Sequence, residues 1–294
     1  MLRMTRRGFA ASLAAPAWAA AAEEVIDLHQ HTNYAGRSDN ELAAHQRAMG
    51  VSLSILLPTD PVTGLAVKAG GNDTVAALSA RLPREFVWFC NEHPDTPGAI
   101  QILEKLLSGG AIGLGEQKLE IACDSPWIHS LAALAAERRV PLLMHFQHGT
   151  YNTGYERFHK MLAKYPKTQF IGHAQTFWGH VDAALKPEDL YPKGAVKPGG
   201  LTDRLLADYE NFHGDLSAGS GLNAFTRDEE HGRAFLLRHH RKLLFGTDCD
   251  DRTAFTERCT GSRQLALIRR LAADPQARRN ILSANARRLM KLPS

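Results

Sequence analysis

The sequence predicts an α/β protein built as a single (β/α)8 TIM barrel, in which eight parallel strands alternate with helices. Short, mostly continuous apolar runs recur along the chain, helical patterns separate them, and ionisable residues end five of the runs. An open doubly wound sheet is the alternative. It is disfavoured because such a sheet concentrates its site at one switch point, whereas these residues extend from the first strand to the last.

Eight apolar runs define the predicted strands. Continuous rather than alternating hydrophobicity is typical of strands that are covered on both faces. The predicted strands span residues 25–29, 52–57, 86–90, 111–117, 141–145, 168–173, 212–216 and 242–247.

Helices fit between these strands. Asp124-Ser125-Pro126 supplies a cap and a first-turn proline, and a further helix is predicted over residues 202–209, after a glycine pair. A basic amphipathic pattern over residues 276–289 predicts a last helix covering the barrel. The longest irregular connection, residues 174–200, is predicted to form a lid and a substrate wall that includes Trp178.

The N-terminus differs from the rest of the chain. Thr5-Arg6-Arg7-Gly8-Phe9 forms a twin-arginine pattern, and an apolar run with small residues follows it. The run is too short to cross a bilayer, which takes about 20 residues. The sequence therefore predicts a signal peptide over residues 1–22, a barrel domain over residues 23–294, a periplasmic location and no membrane attachment after cleavage.

The charge balance and cysteine content of the sequence limit the kinds of molecule that the protein is expected to bind. Without Arg3, Arg6 and Arg7, 32 basic residues face 31 acidic ones, and no basic cluster favours nucleic acid. A small-molecule substrate is expected, and formation of a homo-oligomer is left open. Four cysteines form no CxxC zinc spacing; Cys249 and Cys259 are predicted either to form a disulfide or to be buried thiols.

Candidate metal ligands stand at the ends of the first, fourth, fifth, sixth and eighth predicted strands. Imidazoles and carboxylates suit zinc and similar divalent ions, and a parallel barrel gathers its strand ends into one pocket. A buried ionisable group at such a position needs a partner to offset its desolvation. The predicted ligand set is His29, His31, Glu116, His145, His173 and Asp248.

These residues resemble the amidohydrolase superfamily, and the segments are most similar to its amidohydrolase 2 branch, which includes aminocarboxymuconate-semialdehyde decarboxylase-like enzymes and lactonases. The resemblance runs from about Val25 to Leu289. It implies a (β/α)8 fold and one or two divalent metal ions, with zinc preferred. If two ions bind, the resemblance implies a bridging glutamate or carboxylated lysine after the fourth strand, either Glu116 or Lys118, with Glu116 favoured. A bridging Glu116 would make His145 and His173 ligands of the second ion. If one binds, His145 is a ligand and His173 transfers protons.

Catalysis is assigned to Asp248 and His173. Asp248 is expected to take the proton of a metal-activated water and return it to the leaving group, while His173 stabilises the developing oxyanion. Asp27 or Gln30 is expected to hold the imidazole tautomers. The predicted substrate-binding residues are Lys118, Gln147, His148 and Trp178.

The favoured function is an exported metal-dependent hydrolase of a small ester, lactone or amide. A metal-dependent non-oxidative decarboxylase is the alternative; it would need a carboxylate anchor, for which Arg37 and Arg252 are candidates. A non-catalytic periplasmic binding protein for a metal or ligand is the third reading, and Asp248 and His173 count against it because a pure binder needs no proton acceptor.

Overall fold

Eight parallel strands form the centre of the molecule. The structure is a computed structural model that describes residues 23–60 and 69–293, so the predicted signal peptide lies outside the described residues. The strands are β1 (Ile26–Gln30), β2 (Leu53–Leu56), β3 (Phe86–Trp88), β4 (Leu114–Gln117), β5 (Leu142–His145), β6 (Phe170–His173), β7 (Phe212–Asp215) and β8 (Leu243–Leu244). They confirm the eight predicted strands and the (β/α)8 class.

The strands pair in chain order. Strands β1 to β3 and strands β4 to β8 each form a parallel set, and a parallel bridge between Cys90 and Leu114 connects the two sets. The segment after β8 returns to the first strand, since the Leu28 amide donates to the Phe245 carbonyl at 2.9 Å and the Asp248 amide donates to the His29 carbonyl at 2.9 Å. The ends of the first and last strands therefore lie side by side.

Helices surround the strands. Sequence signals explain several starts: Ser38 and Glu41 form a capping box before the first helix, and the Ser125 hydroxyl caps the fourth. The helices are α1 (Asp39–Met49), α2 (Asn72–Arg81), α3 (Ala99–Ser108), α4 (Pro126–Arg138), α5 (His159–Lys164), α6 (Ala174–Gly179), α7 (Leu201–Asp208), α8 (Ala218–Thr226), α9 (Glu229–His239), α10 (Thr260–Leu271), α11 (Pro275–Arg279) and α12 (Asn285–Met290). In the described part of the chain, no helix is both long and apolar enough to cross a membrane.

The core has two layers. One lies between the strands and the helices, and the other fills the barrel interior with side chains such as Ile26, Leu143 and Ile171. Ala286 and Met290 of α12 pack against this interior layer. The interior is therefore a packed floor beneath the ligand-type residues at the carboxyl ends of the strands.

Two local predictions need correction. Strand β8 is shorter than the predicted 242–247 because the Phe245 amide donates to the carbonyl of Ile281, within a π-helical turn (Asn280–Ala284) that separates α11 from α12. The connection over residues 174–200 begins with helix α6 rather than as an irregular lid.

Candidate metal centre

The two histidines of β1 form one side of the site. Both are buried, and their Nε2 atoms lie 3.1 Å apart. The Nδ1 of His29 lies 2.7 Å from Asp215 Oδ2, and the Nδ1 of His31 lies 2.7 Å from the Leu57 carbonyl oxygen. Because each Nδ1 is engaged with an oxygen, each Nε2 is left to face the pocket, where it could bind a metal ion.

Glu116, at the end of β4, stands between two pairs of histidines. Its Oε2 lies 3.6 Å from His29 Nε2 and 3.8 Å from His31 Nε2. Its Oε1 lies 2.6 Å from His145 Nδ1 and 3.6 Å from His173 Nε2. One carboxylate therefore connects the ligand-type residues of β1 with those of β5 and β6.

Asp248 completes the ring of donors from the segment after β8. Its Oδ1 lies 3.5 Å from His31 Nε2 and 3.8 Å from His29 Nε2, and its Oδ2 lies 3.9 Å from His173 Nε2. Its backbone has φ 46°, a left-handed conformation that is uncommon outside glycine and often found at functional sites. The structure thus brings together all six predicted metal ligands.

Asp215, the last residue of β7, was missed as a site residue. It is fully buried, and its Oδ2 lies 2.7 Å from His29 Nδ1 and 3.2 Å from His173 Nδ1. The Ser217 hydroxyl donates to the same Oδ2 at 2.9 Å. Asp215 therefore orients two imidazoles from behind, and its position at a strand end is the signal that could have identified it.

The tautomer-holding role predicted for Asp27 or Gln30 is wrong. Asp27 Oδ1 accepts from the backbone amide of His29 at 3.0 Å, and its Oδ2 accepts from the Thr247 hydroxyl at 2.6 Å. Gln30 donates to Thr247 Oγ1 at 2.5 Å. Both side chains fix the backbone between β1 and the segment after β8, and neither reaches an imidazole nitrogen among the described contacts.

Electrostatics favour a cation in this space. Burial lowers the pKa of His29, but the carboxylates of Asp248 and Asp215 outweigh it and hold that pKa well above its usual range. Burial raises the pKa of Glu116, but the imidazoles of His145 and His29 bring it well below its ordinary value. Burial also raises the pKa of Asp248, but the neighbouring His29 brings it below its ordinary value. The carboxylates are therefore anionic at neutral pH.

The donor set fits a divalent metal ion. Asp248 Oδ1 is buried and has no hydrogen-bond partner among the described residues, as expected for an oxygen that binds an ion. Burial lowers the pKa of His145, which keeps its imidazole neutral as metal binding requires. Mixed imidazole and carboxylate donors suit zinc and similar ions.

A small cavity opens beside the donors. Its volume is about 30 Å³, enough for a water molecule, and its lining includes Asp248, Tyr34, Asn91 and Lys118. The carboxylate of Asp248 and then burial raise the pKa of Tyr34, so its phenol stays protonated and can donate a hydrogen bond. Tyr34 was missed by sequence reasoning because its approach depends on the short 3₁₀ turn after β1.

The predicted substrate-binding residues occupy different places. Lys118 lines the cavity, with its Nζ 5.3 Å from the centre of the Tyr151 ring. Gln147 Oε1 lies 3.4 Å from His145 Nε2, next to the donor ring. The His148 side chain is exposed, and its backbone amide donates to Thr176 Oγ1 at 2.6 Å.

The prediction that Trp178 faces the substrate needs correction. Its side chain is 1% exposed, its ring lies 5.1 Å from that of Phe225, and its indole N–H donates to the Asp215 carbonyl at 2.8 Å. Trp178 therefore packs in the core behind β7, where it supports Asp215.

A parallel barrel with histidines and carboxylates at its strand ends defines a class of metal-dependent barrel enzymes. The model of the amidohydrolase 2 family (Amidohydrolase) matches residues 26–292. The chain belongs to this family, whose members are generally metal-dependent enzymes. No curated protein matches the sequence.

Solved structures share the fold. An amidohydrolase from Burkholderia multivorans with bound zinc has a TM-score of 0.64 at 14% identity, covering 92% of this chain and 99% of that one. The 5-carboxyvanillate decarboxylase from Sphingomonas paucimobilis has a TM-score of 0.59 at 16% identity, covering 88% of this chain and 85% of that one. A probable 2-pyrone-4,6-dicarboxylic acid hydrolase from Acinetobacter baumannii with citric acid bound has a TM-score of 0.59 at 12% identity, covering 91% of this chain and 99% of that one. At these identities the similarity shows the fold alone.

Proposed function

We propose that this protein is a metal-dependent hydrolase that cleaves a small ester, lactone or amide. The position of Asp248 supports this proposal most strongly. Its carboxylate faces the cavity, with Oδ1 3.5 Å from His31 Nε2 and Oδ2 3.9 Å from His173 Nε2. A carboxylate beside a water-sized space is suited to take a proton from water.

The residues that would hold the metal are His29, His31, Glu116, His145 and Asp248, with His173 added if two ions bind. A zinc or similar ion bound there would acidify a water towards a pKa of about 7 and polarise the substrate carbonyl. Glu116 supports the two-ion arrangement, since its two oxygens face different pairs of histidines.

Proton transfer falls to the chain's own residues. Asp248 would take the water proton and return it to the leaving alcohol or amine, which balances the reaction. His173 is held in place through its Nδ1 by Asp215 and Ser217, so its Nε2 points towards the pocket. The Tyr34 phenol, kept protonated beside Asp248, is placed to donate to a developing negative charge on the substrate.

Lys118 indicates the substrate class. Its ammonium lines the cavity beside anionic groups, and among the described residues it forms no ion pair with a carboxylate. We propose that Lys118 binds an anionic group of the substrate, such as a carboxylate. The Acinetobacter hydrolase, named for a dicarboxylic acid, supports a substrate of this kind.

A decarboxylase is the second candidate, and the same lysine favours it because it could hold the departing carboxylate. The 5-carboxyvanillate decarboxylase also shares the fold. The arginines expected as anchors are engaged elsewhere: Arg37 is buried and donates to the Asp251 carbonyl at 2.9 Å, and Arg252 pairs with Glu41 at 3.3 Å.

A substrate panel separates the two candidates. The zinc-reconstituted protein is incubated with carboxylated esters, lactones, amides and aromatic acids in ¹⁸O-labelled water. Hydrolysis places ¹⁸O in the acid product, whereas decarboxylation releases carbon dioxide and leaves no ¹⁸O in the organic product. Asp248→Asn should lower kcat by about 10²–10⁴-fold, and the exposed neighbour Asp250→Asn serves as its matched control. Release of carbon dioxide alone, or full hydrolysis by Asp248→Asn, would contradict the proposal.

We also propose that the protein is exported to the periplasm, on the support of the twin-arginine pattern at Arg6 and Arg7. Fractionation of cells that make the full chain should find the mature protein in the periplasm. Replacing both arginines by lysine should retain it in the cytoplasm; unchanged export would rule out this route.

A further inference from the structure

A second group of metal-ligating side chains lies outside the site described above. His45 of α1, Cys249 in the segment after β8 and Cys259 at the start of α10 are 0 to 1% exposed and converge on one point. Each comes from a different element. None belongs to the predicted catalytic ligand set.

The distances between the donors match a metal site. His45 Nε2 lies 3.2 Å from Cys259 Sγ and 3.7 Å from Cys249 Sγ, and the two sulfurs are 3.4 Å apart. Bonds of about 2.3 Å to sulfur and about 2.0 Å to nitrogen place the donors of a tetrahedral ion about 3.5–3.8 Å from one another. The triangle is therefore nearly the face of a Cys₂His tetrahedron, whereas a disulfide requires sulfurs about 2.05 Å apart.

The local environment of Cys259 is that of a thiolate. Cys259 is the N-cap of the twelve-residue helix α10, and its sulfur accepts from the Ser262 amide at 3.3 Å. A sulfur that accepts at a helix N-terminus is stabilised in its anionic form, which is the form that binds metals.

We propose that His45, Cys249 and Cys259 bind a thiophilic metal ion, Zn²⁺ or Cu⁺, as a structural site. On binding, each sulfur that still carries a proton releases it to solvent, and the ion bonds to both thiolates and to the Nε2 lone pair of His45. No electron is transferred. The bound ion ties α1 and α10 to the segment that carries Asp248, one residue before Cys249.

Cobalt is the first probe, because Co²⁺ bound to thiolates gives charge-transfer bands that nitrogen and oxygen donors do not. The full-length protein is reduced, freed of metal by a chelator and titrated anaerobically with Co²⁺. The catalytic ligands contain no sulfur, so the thiolate band reports the Cys₂His site alone. The band should report one bound Co²⁺ per chain in addition to the one or two ions taken up by the strand-end ligands, disappear in Cys259→Ser and persist in Cys90→Ser, a matched control at another buried cysteine.

The second arm identifies the ion and does not depend on a variant that folds. Wild-type protein is loaded with Zn²⁺, or with Cu⁺ in competition with a copper chelator, and then treated with an alkylating agent under mild denaturation. The ion that fits should protect Cys249 and Cys259 by at least about tenfold in rate, while Cys123 is alkylated equally with and without metal. A thiolate band that never forms, equal alkylation of all four cysteines, or a Cys249–Cys259 disulfide in the protein isolated from cells would each overturn the proposal.

Discussion

At the scale of single residues, two of the strand-end histidines depend on the same buried side chain for their orientation. His29 and His173 share one buried carboxylate, Asp215, which contacts the Nδ1 of both rings. Metal-ligating imidazoles usually depend on such a partner to fix ring orientation and tautomer. Burial raises the pKa of Asp215, but the imidazoles of His29 and His173 hold it below its ordinary value, which favours the anionic carboxylate.

Asp215→Asn should therefore weaken the site without removing a ligand. The amide keeps the shape of the side chain but loses its charge, so metal affinity should fall about 10–100-fold. Competition with a chromophoric chelator measures the affinity. Asp203→Asn, at a buried carboxylate on α7, is the control. If Asp215→Asn bound metal as tightly as wild type, the supporting role of Asp215 would be wrong.

The sequence was sufficient to predict which six ligand-type side chains converge, but not all the residues that support them. Ligand-type residues directly after apolar runs are visible without a structure. Asp215 holds a comparable place as the last residue of β7, but the predicted strand over residues 212–216 placed it inside the strand rather than at its end. Tyr34 carries no such signal, since its approach to Asp248 depends on a left-handed Ala35 in a loop.

At the scale of elements, the segment after β8 is positioned by close packing. Gly246 lies against Asp215, and a methyl group at this position would also lie 3.0 Å from Ser217 Cβ and 3.2 Å from His29 Cβ. This approach requires a residue without a side chain. It sets how near Asp248 comes to β1.

Gly246→Ala should disturb two strand ends together. Overpacking at this contact should lower the free energy of unfolding by about 1–3 kcal/mol and reduce metal content. Urea unfolding and elemental analysis provide the measurements. Gly219→Ala is the control, because its added methyl would have Tyr191 as its nearest neighbour at 3.7 Å. Equal stability and metal content in the two variants would show that Gly246 has no such role.

Element identity was predictable, whereas some element boundaries were not. Buried strands in a parallel barrel produce apolar runs, so all eight strands could be predicted from local sequence. The early end of β8 could not, because the Phe245 amide bonds to Ile281, a partner distant in sequence. The burial of Trp178 likewise results from packing against Phe225 and Phe235 of α8 and α9.

At the scale of the whole molecule, ion pairs in the outer ring of helices should contribute to acid sensitivity. Asp203 on α7 contacts His239 Nε2 at 2.6 Å and Arg238 at 2.6 Å, both at the end of α9. Burial raises the pKa of Asp203, but its hydrogen bonds with His239 and Arg238 lower it to about 2 from 3.8.

A depressed carboxyl pKa stabilises the fold above the unfolded value and loses that effect as pH falls. The Asp203 contribution, about 1 kcal/mol for a partly exposed pair, should be complete above about pH 4 and vanish towards pH 2. Urea unfolding of metal-free wild type and Asp203→Asn should therefore show a difference in stability that shrinks over this range. If the difference in stability stayed constant between about pH 5 and about pH 2, Asp203 would not contribute to acid sensitivity in this way.

We propose that the six strand-end residues bind a divalent metal ion. The most direct test is elemental analysis of the purified mature protein in the Cys259→Ser background, which excludes the proposed sulfur site. We expect one or two equivalents of zinc or a similar ion per chain, and two would favour Glu116 as a bridge. His29→Ala should lose this metal while its circular dichroism stays unchanged. A chain that remains metal-free after reconstitution, or a His29→Ala variant that keeps its full metal content, would contradict the account.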